Sequence, residues 1–226
     1  MLAVTVKNVI GPRVSVDEFT RAWVRYLIPG ILFLLAGALL LVSASRPYWA
    51  MTLHAPQYPH GLTVTAYLTH LTGDVQEIDE LNHYIGMRPL EQGGQIERGT
   101  AQATVVIFVM LLLAANFVHT RWAVLLTLPP VLFPLGFLVD LQAWLYYFGH
   151  HLDKTAALSS AIKPFTPRVL GLGLVGQFKT VAVAQEGFWF AVAATAVVIV
   201  GLWFHRRAYK PLLTASRRQP KVGVLG

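Results

Sequence analysis

Four stretches of this chain are so apolar, for so long, that they leave it little choice of surroundings. Residues 26–45 and 187–204 carry no charged side chain, 100–118 has only Gln102 and Asn116 as strongly polar groups, and 122–148 carries Asp140 and Gln142. A helix crosses a bilayer with about 20 mostly apolar residues because every backbone N–H and C=O is satisfied within the segment. With 55% of its residues hydrophobic and 13% charged, the chain also has too few charges to solvate an ordinary soluble domain. It is predicted to be a mainly α, polytopic membrane protein with four transmembrane helices.

The pattern divides the chain into an arm (1–25), a first helix (26–45), a loop (46–99), a second helix (100–118), a third (122–148), a second loop (149–186), a fourth helix (187–204) and a basic tail (205–226). The first helix follows a polar arm and has no small-residue cleavage site after a short apolar core, so it reads as an anchor and not as a removable signal. Pro129, Pro130 and Pro134 remove backbone donors from the third helix and predict a kink there.

Orientation follows from the basic residues. Lys7, Arg13, Arg21, Arg25, Arg121, Arg206, Arg207, Lys210, Arg217, Arg218 and Lys221 fall on the side of the two termini, and the other seven of the 18 Lys and Arg fall in the two long loops. The positive-inside rule then puts both termini in the cytoplasm and both loops outside. The formal charge of +7 thus records membrane orientation and lipid contact, with no nucleic-acid role. Trp23, Trp122 and Trp203 at the inner ends and Trp49, Trp144 and Trp189 at the outer ends match an interfacial indole belt.

The first loop is predicted to fold as a small αβ extracytoplasmic cap. Leu62, Val64, Ala66 and Leu68 alternate with Thr63, Thr65, Tyr67 and Thr69, the period of a half-buried strand, and Gly73 ends it. Asp74 offers a helix N-cap with Glu77 three residues on, Val75, Ile78, Leu81 and Ile85 follow at helical spacing, and Gly86 is placed to stop the helix. Six acidic residues against Arg46, Arg88 and Arg98 give this loop an acidic face that attracts cations.

The chain has no cysteine, which excludes disulfides, thiolate zinc sites, iron–sulfur clusters and covalently attached c-type haem. Histidine is unevenly placed: His54, His60, His70, His83, His150 and His151 all lie on the outer side with Met51 and Met87, and only His119 and His205 lie inward. Imidazole with thioether and no thiolate is a ligand set that suits copper. His83 and Met87 are four residues apart, one helical turn if the helix persists, whereas a bend at Gly86 turns Met87 inward. His54 is the best third ligand, followed by His60, His150, His151 and Asp140. Asp140 is costly at membrane depth unless it faces the protein or water, and it could orient His151, which lies on a related face of the third helix. A GxGxxG match at 171–176 has no βα context and is set aside.

Four strings carry a family likeness: APQYPHGL at 55–62, LNHYIGM at 81–87, WLYYFGHHLD at 144–153 and KPFTP at 163–167. Together they resemble a poorly characterised family of bacterial four-helix inner-membrane proteins found beside accessory factors for nitrous oxide reductase and other copper or cytochrome respiratory systems. The resemblance implies a periplasmic-side role in metalloenzyme assembly or respiration and maps His83 and Met87 onto the family's most recognisable motif. The first functional expectation is therefore a membrane accessory protein that handles copper on the periplasmic side for a respiratory metalloenzyme. The alternative is a metal-free scaffold or partner-binding subunit. A b-type haem subunit is disfavoured because no span has a central histidine, and no nucleophile–base string or zincin motif points to an enzyme.

A reporter fused after Gly226 should be active only if it functions in the cytoplasm. Activity of an export-dependent reporter at that position would reverse the assignment of every outer histidine.

Overall fold

A computed structural model describes residues 10–158, 161–175 and 178–218. Among these the long helices are α2 (Trp23–Ala44), α4 (Gln95–Ala115), α5 (Trp122–His150) and α6 (Glu186–Arg218), preceded by a short α1 (Val16–Arg21). Each of the four is long and apolar enough to cross a membrane. Their bounds differ from the apolar runs at the ends, because helix continues through polar residues wherever the backbone stays hydrogen-bonded. Thus α4 starts at Gln95, ahead of the predicted 100, and α6 extends well beyond the predicted 204. Despite Pro129, Pro130 and Pro134, α5 is assigned as one continuous helix.

The loops form a five-stranded antiparallel sheet from β1 (Trp49–Ala55), β2 (Tyr58–Ala66), β3 (Leu71–Gly73), β4 (Gly171–Val175) and β5 (Phe178–Ala184), in the order β3-β2-β1-β5-β4. This differs from the sequence reading in two ways. The predicted strand from Leu62 is the second half of β2, which starts at Tyr58 and ends at Ala66. The segment 149–186, read as a loop, supplies two strands, β5 pairing with β1 and β4 with β5, so 46–99 does not make the cap alone. Met51 at the centre of the sheet lies between Val64 on β2 and Ala182 on β5.

The alternation of β1 and β2 then sorts the side chains. Trp49, Met51, Leu62, Val64, Ala66 and Ala182 share one face and form a core with Ile78 from helix α3 (Val75–Ile85) and Leu145 from α5. Thr52 and Thr63 pair across the other face through their hydroxyls at 2.9 Å.

By contact the described residues divide into two compact units, one within 10–39, 107–132 and 193–218, the other within 40–106 and 133–192. In the first, the described part of the arm is tied down: His119 donates its backbone N–H to Ile10 at 2.7 Å, and Tyr26 donates to Glu18 at 2.6 Å. Val14 and Ala22 pack on a cluster of Tyr26, Ala208 and Tyr209. In the second, Tyr48 is the junction. Its N–H donates to Ala66 at 2.8 Å and its carbonyl accepts from Gln185 at 2.9 Å, while Gly187 donates to Pro47 at 2.7 Å. Ser43 uses its single hydroxyl proton on the Gly187 carbonyl at 2.8 Å, so the Tyr48 phenol donates to Ser43. At 1% exposure, burial pushes this phenol up to about 12, and it stays a neutral donor.

Gly187 sits so close to this crossing that a Cβ there would lie 2.7 Å from the Arg46 carbonyl oxygen and 2.8 Å from that of Pro47. Neither backbone group can swing away, so Gly187→Ala should destabilise the protein by about 1–3 kcal/mol. Gly136 has open space at the same position. A clear drop in thermal unfolding temperature in detergent for Gly187→Ala, and little change for Gly136→Ala, checks this.

Candidate functional site

Of the predicted ligands, His83 and Met87 lie at the end of α3, and the way that helix ends decides what they can do. Gly86 takes φ 79, a left-handed conformation that glycine adopts without Cβ strain. The Met87 N–H then reaches back to Asn82 at 2.9 Å and the Gly86 N–H to His83 at 3.3 Å, a Schellman-type stop. The helix therefore does not persist from His83 to Met87. Met87 turns in to pack, half-buried, on Leu53, Ala55, Ile85 and Val175, while His83 stays exposed on α3.

The start of α3 departs from the expected capping box. Asp74 makes no side-chain cap; its carboxylate accepts the Thr63 N–H at 2.8 Å and fastens the helix to β2. The tertiary acceptor role uses the oxygen that a local cap would need.

Residues after α5 dock on the end of α3. Asp153 donates its N–H to Gly86 at 2.7 Å and Leu158 donates to Tyr84 at 2.9 Å. The Thr155 N–H and hydroxyl, at 2.8 and 2.7 Å, hold the Asp153 carboxyl below its usual range, with His83 adding a favourable charge. His83 and Asp153 are thus neighbours, a pairing that sequence spacing does not reveal.

His54 lies elsewhere. It is exposed on β1 opposite Lys179, and strand alternation puts it on the face away from Leu53 and Ala55, where Met87 packs. The sheet therefore separates His54 from Met87. His60 is exposed on β2. His150 and His151 bond through Nδ1 to the Tyr146 and Tyr147 carbonyls at 2.9 and 3.0 Å and stack on those same rings at 4.0 and 4.1 Å. The main chain, in place of Asp140, thus sets the His151 ring. Asp140 itself is half-buried on α5. Among the described residues no three His, Asp or Glu side chains gather as metal ligands, and His54 lies across the sheet from the cluster on which Met87 packs.

His119 and His205 do meet. In the other unit the His119 ring stacks on Tyr209 at 3.9 Å and stands 6.0 Å from His205, which is 5% exposed and leaves Nε2 without a hydrogen-bond partner among the described residues. Burial pulls His119 below the ordinary imidazole range, opposed by the carbonyls of Pro12 and Asn116. The sequence separates the two by a whole helix pair, so only packing reveals the contact.

Asp79 shows how the segment beyond α3 is held. Its carboxylate accepts the Leu90 N–H at 2.8 Å. Burial raises its pKa above the usual carboxylate value, against the opposing bond from Leu90 and with Glu91 adding repulsion. The folded state then holds this proton more tightly than the unfolded chain does. The resulting stability is full below the unfolded carboxylate pKa and is lost as pH rises through the folded value. Asp79→Asn should remove that pH dependence while keeping an acceptor for Leu90. Asp79→Leu should cost about 1–3 kcal/mol at neutral pH by stranding the Leu90 N–H. Thermal unfolding of both variants across acidic to neutral pH checks the sign.

Compared with protein-family models and with curated proteins, the chain matches none.

Proposed function

We propose that this protein is a membrane-embedded scaffold of the bacterial inner membrane, whose sheet-bearing unit stands on the periplasmic side and engages a protein of a respiratory metalloenzyme system. The observation that carries the reading is the sheet. Two loops far apart in sequence combine into one structure whose last strand, β4, leaves an edge unpaired among the described residues, with Leu172 71% and Leu174 57% exposed. An apolar edge of this kind invites pairing with another chain unless it is covered. The four apolar helices and the distribution of Lys and Arg supply the membrane setting, and the motif resemblance supplies the respiratory one.

Copper handling is the second reading, and the docking of Asp153 on Gly86, at the end of the helix that carries His83, is what favours it. Two measurements separate the readings. A photo-crosslinking residue at Leu172 should yield one discrete protein adduct in native membranes, and the same residue at Ile107, exposed on α4, should yield none. Cu(I) titration against a competing chelator should give the same result for wild type, His83→Ala and Met87→Leu. A loss of roughly ten-fold or more in affinity in each variant, equivalent to at least about 1.4 kcal/mol per ligand, would restore copper delivery as the function. Absence of any protein adduct at Leu172 would remove the scaffold reading.

A further inference from the structure

A second feature of the sheet-bearing unit is independent of the partner-binding edge. Between the segment that follows α3 and the last turns of α5 lies an open cavity of about 770 Å³, lined by Arg88, Gln92, Gln95, Trp144, Tyr146 and Tyr147 together with Ala143 and Phe148. Its volume falls within the range of small-molecule sites.

The walls are held in place. Leu90 is fastened to α3 through Asp79, Gln95 and Arg98 both donate to the Glu91 carbonyl, and Gly93 passes so close to α5 that a Cβ would sit 3.0 Å from the Phe148 ring. The chemistry of the lining is one-sided. Arg88 contributes a guanidinium 5.8 Å over the Tyr147 ring, Gln92 and Gln95 contribute amides, Trp144 an indole N–H, and Tyr146 and Tyr147 phenols. No carboxylate lines the cavity, and Arg88 has no ion pair among the described residues, where Arg46–Glu186 is the one recorded. Such a set of donors around an unneutralised guanidinium matches an anion with several oxygens better than a two-oxygen carboxylate.

The position narrows the choice. Gln95 begins α4 just ahead of its apolar run and Trp144 to Phe148 close α5, so the cavity lies at the ends of two helices apolar enough to span a bilayer. At that level Trp and Tyr meet lipid headgroups. The aromatic and Ala143 surfaces suit the apolar part of an amphiphile, and the amide oxygens of Gln92 and Gln95 can accept from headgroup hydroxyls.

We infer that this cavity binds a phosphate group, delivered by an anionic, hydroxylated phospholipid headgroup or as free phosphate, with Arg88 as its principal charge contact. The full chain, purified in detergent, is incubated with phosphatidylglycerol or phosphatidylcholine, and retained lipid is read by native mass spectrometry. Wild type should retain phosphatidylglycerol in preference to phosphatidylcholine. Arg88→Gln should lower that retention roughly five-fold, as expected for one basic group at a membrane surface, and Arg88→Lys should restore part of it. Lys179→Gln, which removes an exposed charge from β5, should leave retention unchanged. Added inorganic phosphate separates the sources: displacement of the lipid admits free phosphate as an occupant, and retention in its presence assigns the lipid. Equal retention of the two lipids by wild type, or equal losses in Arg88→Gln and Lys179→Gln, would overturn the site.

Discussion

A chain that leaves an apolar helix must find partners for its backbone polar groups at once, and in this protein they come from a single crossing at Tyr48. Pro47 and Tyr48 lie between α2 and β1, and Gln185 and Gly187 lie at the join of β5 and α6. The three backbone bonds from Tyr48 and Pro47 bind the two connections and β2 together within a few residues. The buried phenol–hydroxyl–carbonyl chain from Tyr48 through Ser43 to Gly187 satisfies the polar atoms the crossing leaves over. Sheet register depends on this point, because Trp49 is paired with both Ala66 and Ala184 one residue later. The exposed ion pair Arg46–Glu186, at 3.7 Å, sits beside the crossing but contributes little next to these buried bonds.

Once β1 is fixed between β2 and β5, strand geometry sorts the chemistry. Successive side chains point to opposite faces, so Leu53 and Ala55 join Met87 in an apolar cluster while His54 faces away with Lys179. Gly86 completes the sorting by ending α3 and turning Met87 out of line with His83. The histidines of the two loops and the end of α5 therefore form no cluster of three metal-ligating side chains among the described residues. Four of these imidazoles have local company: His150 and His151 lie on the tyrosine one turn back, His70 stacks on Tyr67 at 4.5 Å, and His83 lies near Asp153. The surfaces with unspent recognition chemistry are the β4 edge and the Arg88 cavity. Among the described residues one is apolar with unpaired backbone, and the other is rich in donors.

The parts of this structure that could be read along the chain are those whose information is local. The apolar runs announce α2, α4, α5 and α6, because a helix satisfies its backbone internally and needs only length and composition to be recognised. Helix α3 was legible for the same reason, from the spacing of Val75, Ile78, Leu81 and Ile85 and from Gly86, whose left-handed φ ends it. The second half of β2 was visible as alternation, and inward rotation of Met87 was one of two outcomes that Gly86 allowed.

What only tertiary structure decided involves partners far apart in sequence. β1 and β5 gain their mutual hydrogen bonds across more than a hundred residues, and a strand has no internal bonds by which to declare itself. Asp74 illustrates the competition in one residue: its position proposes a local cap, yet its oxygen serves Thr63 on β2. The His119–His205 contact, the docking of Asp153 on Gly86 and the Arg88 cavity have the same origin. Residue type and hydropathy determined by themselves that this chain forms four apolar helices joined by polar loops. Which loop residues meet was decided by long-range backbone pairing and by packing, for which no short window of sequence holds both partners.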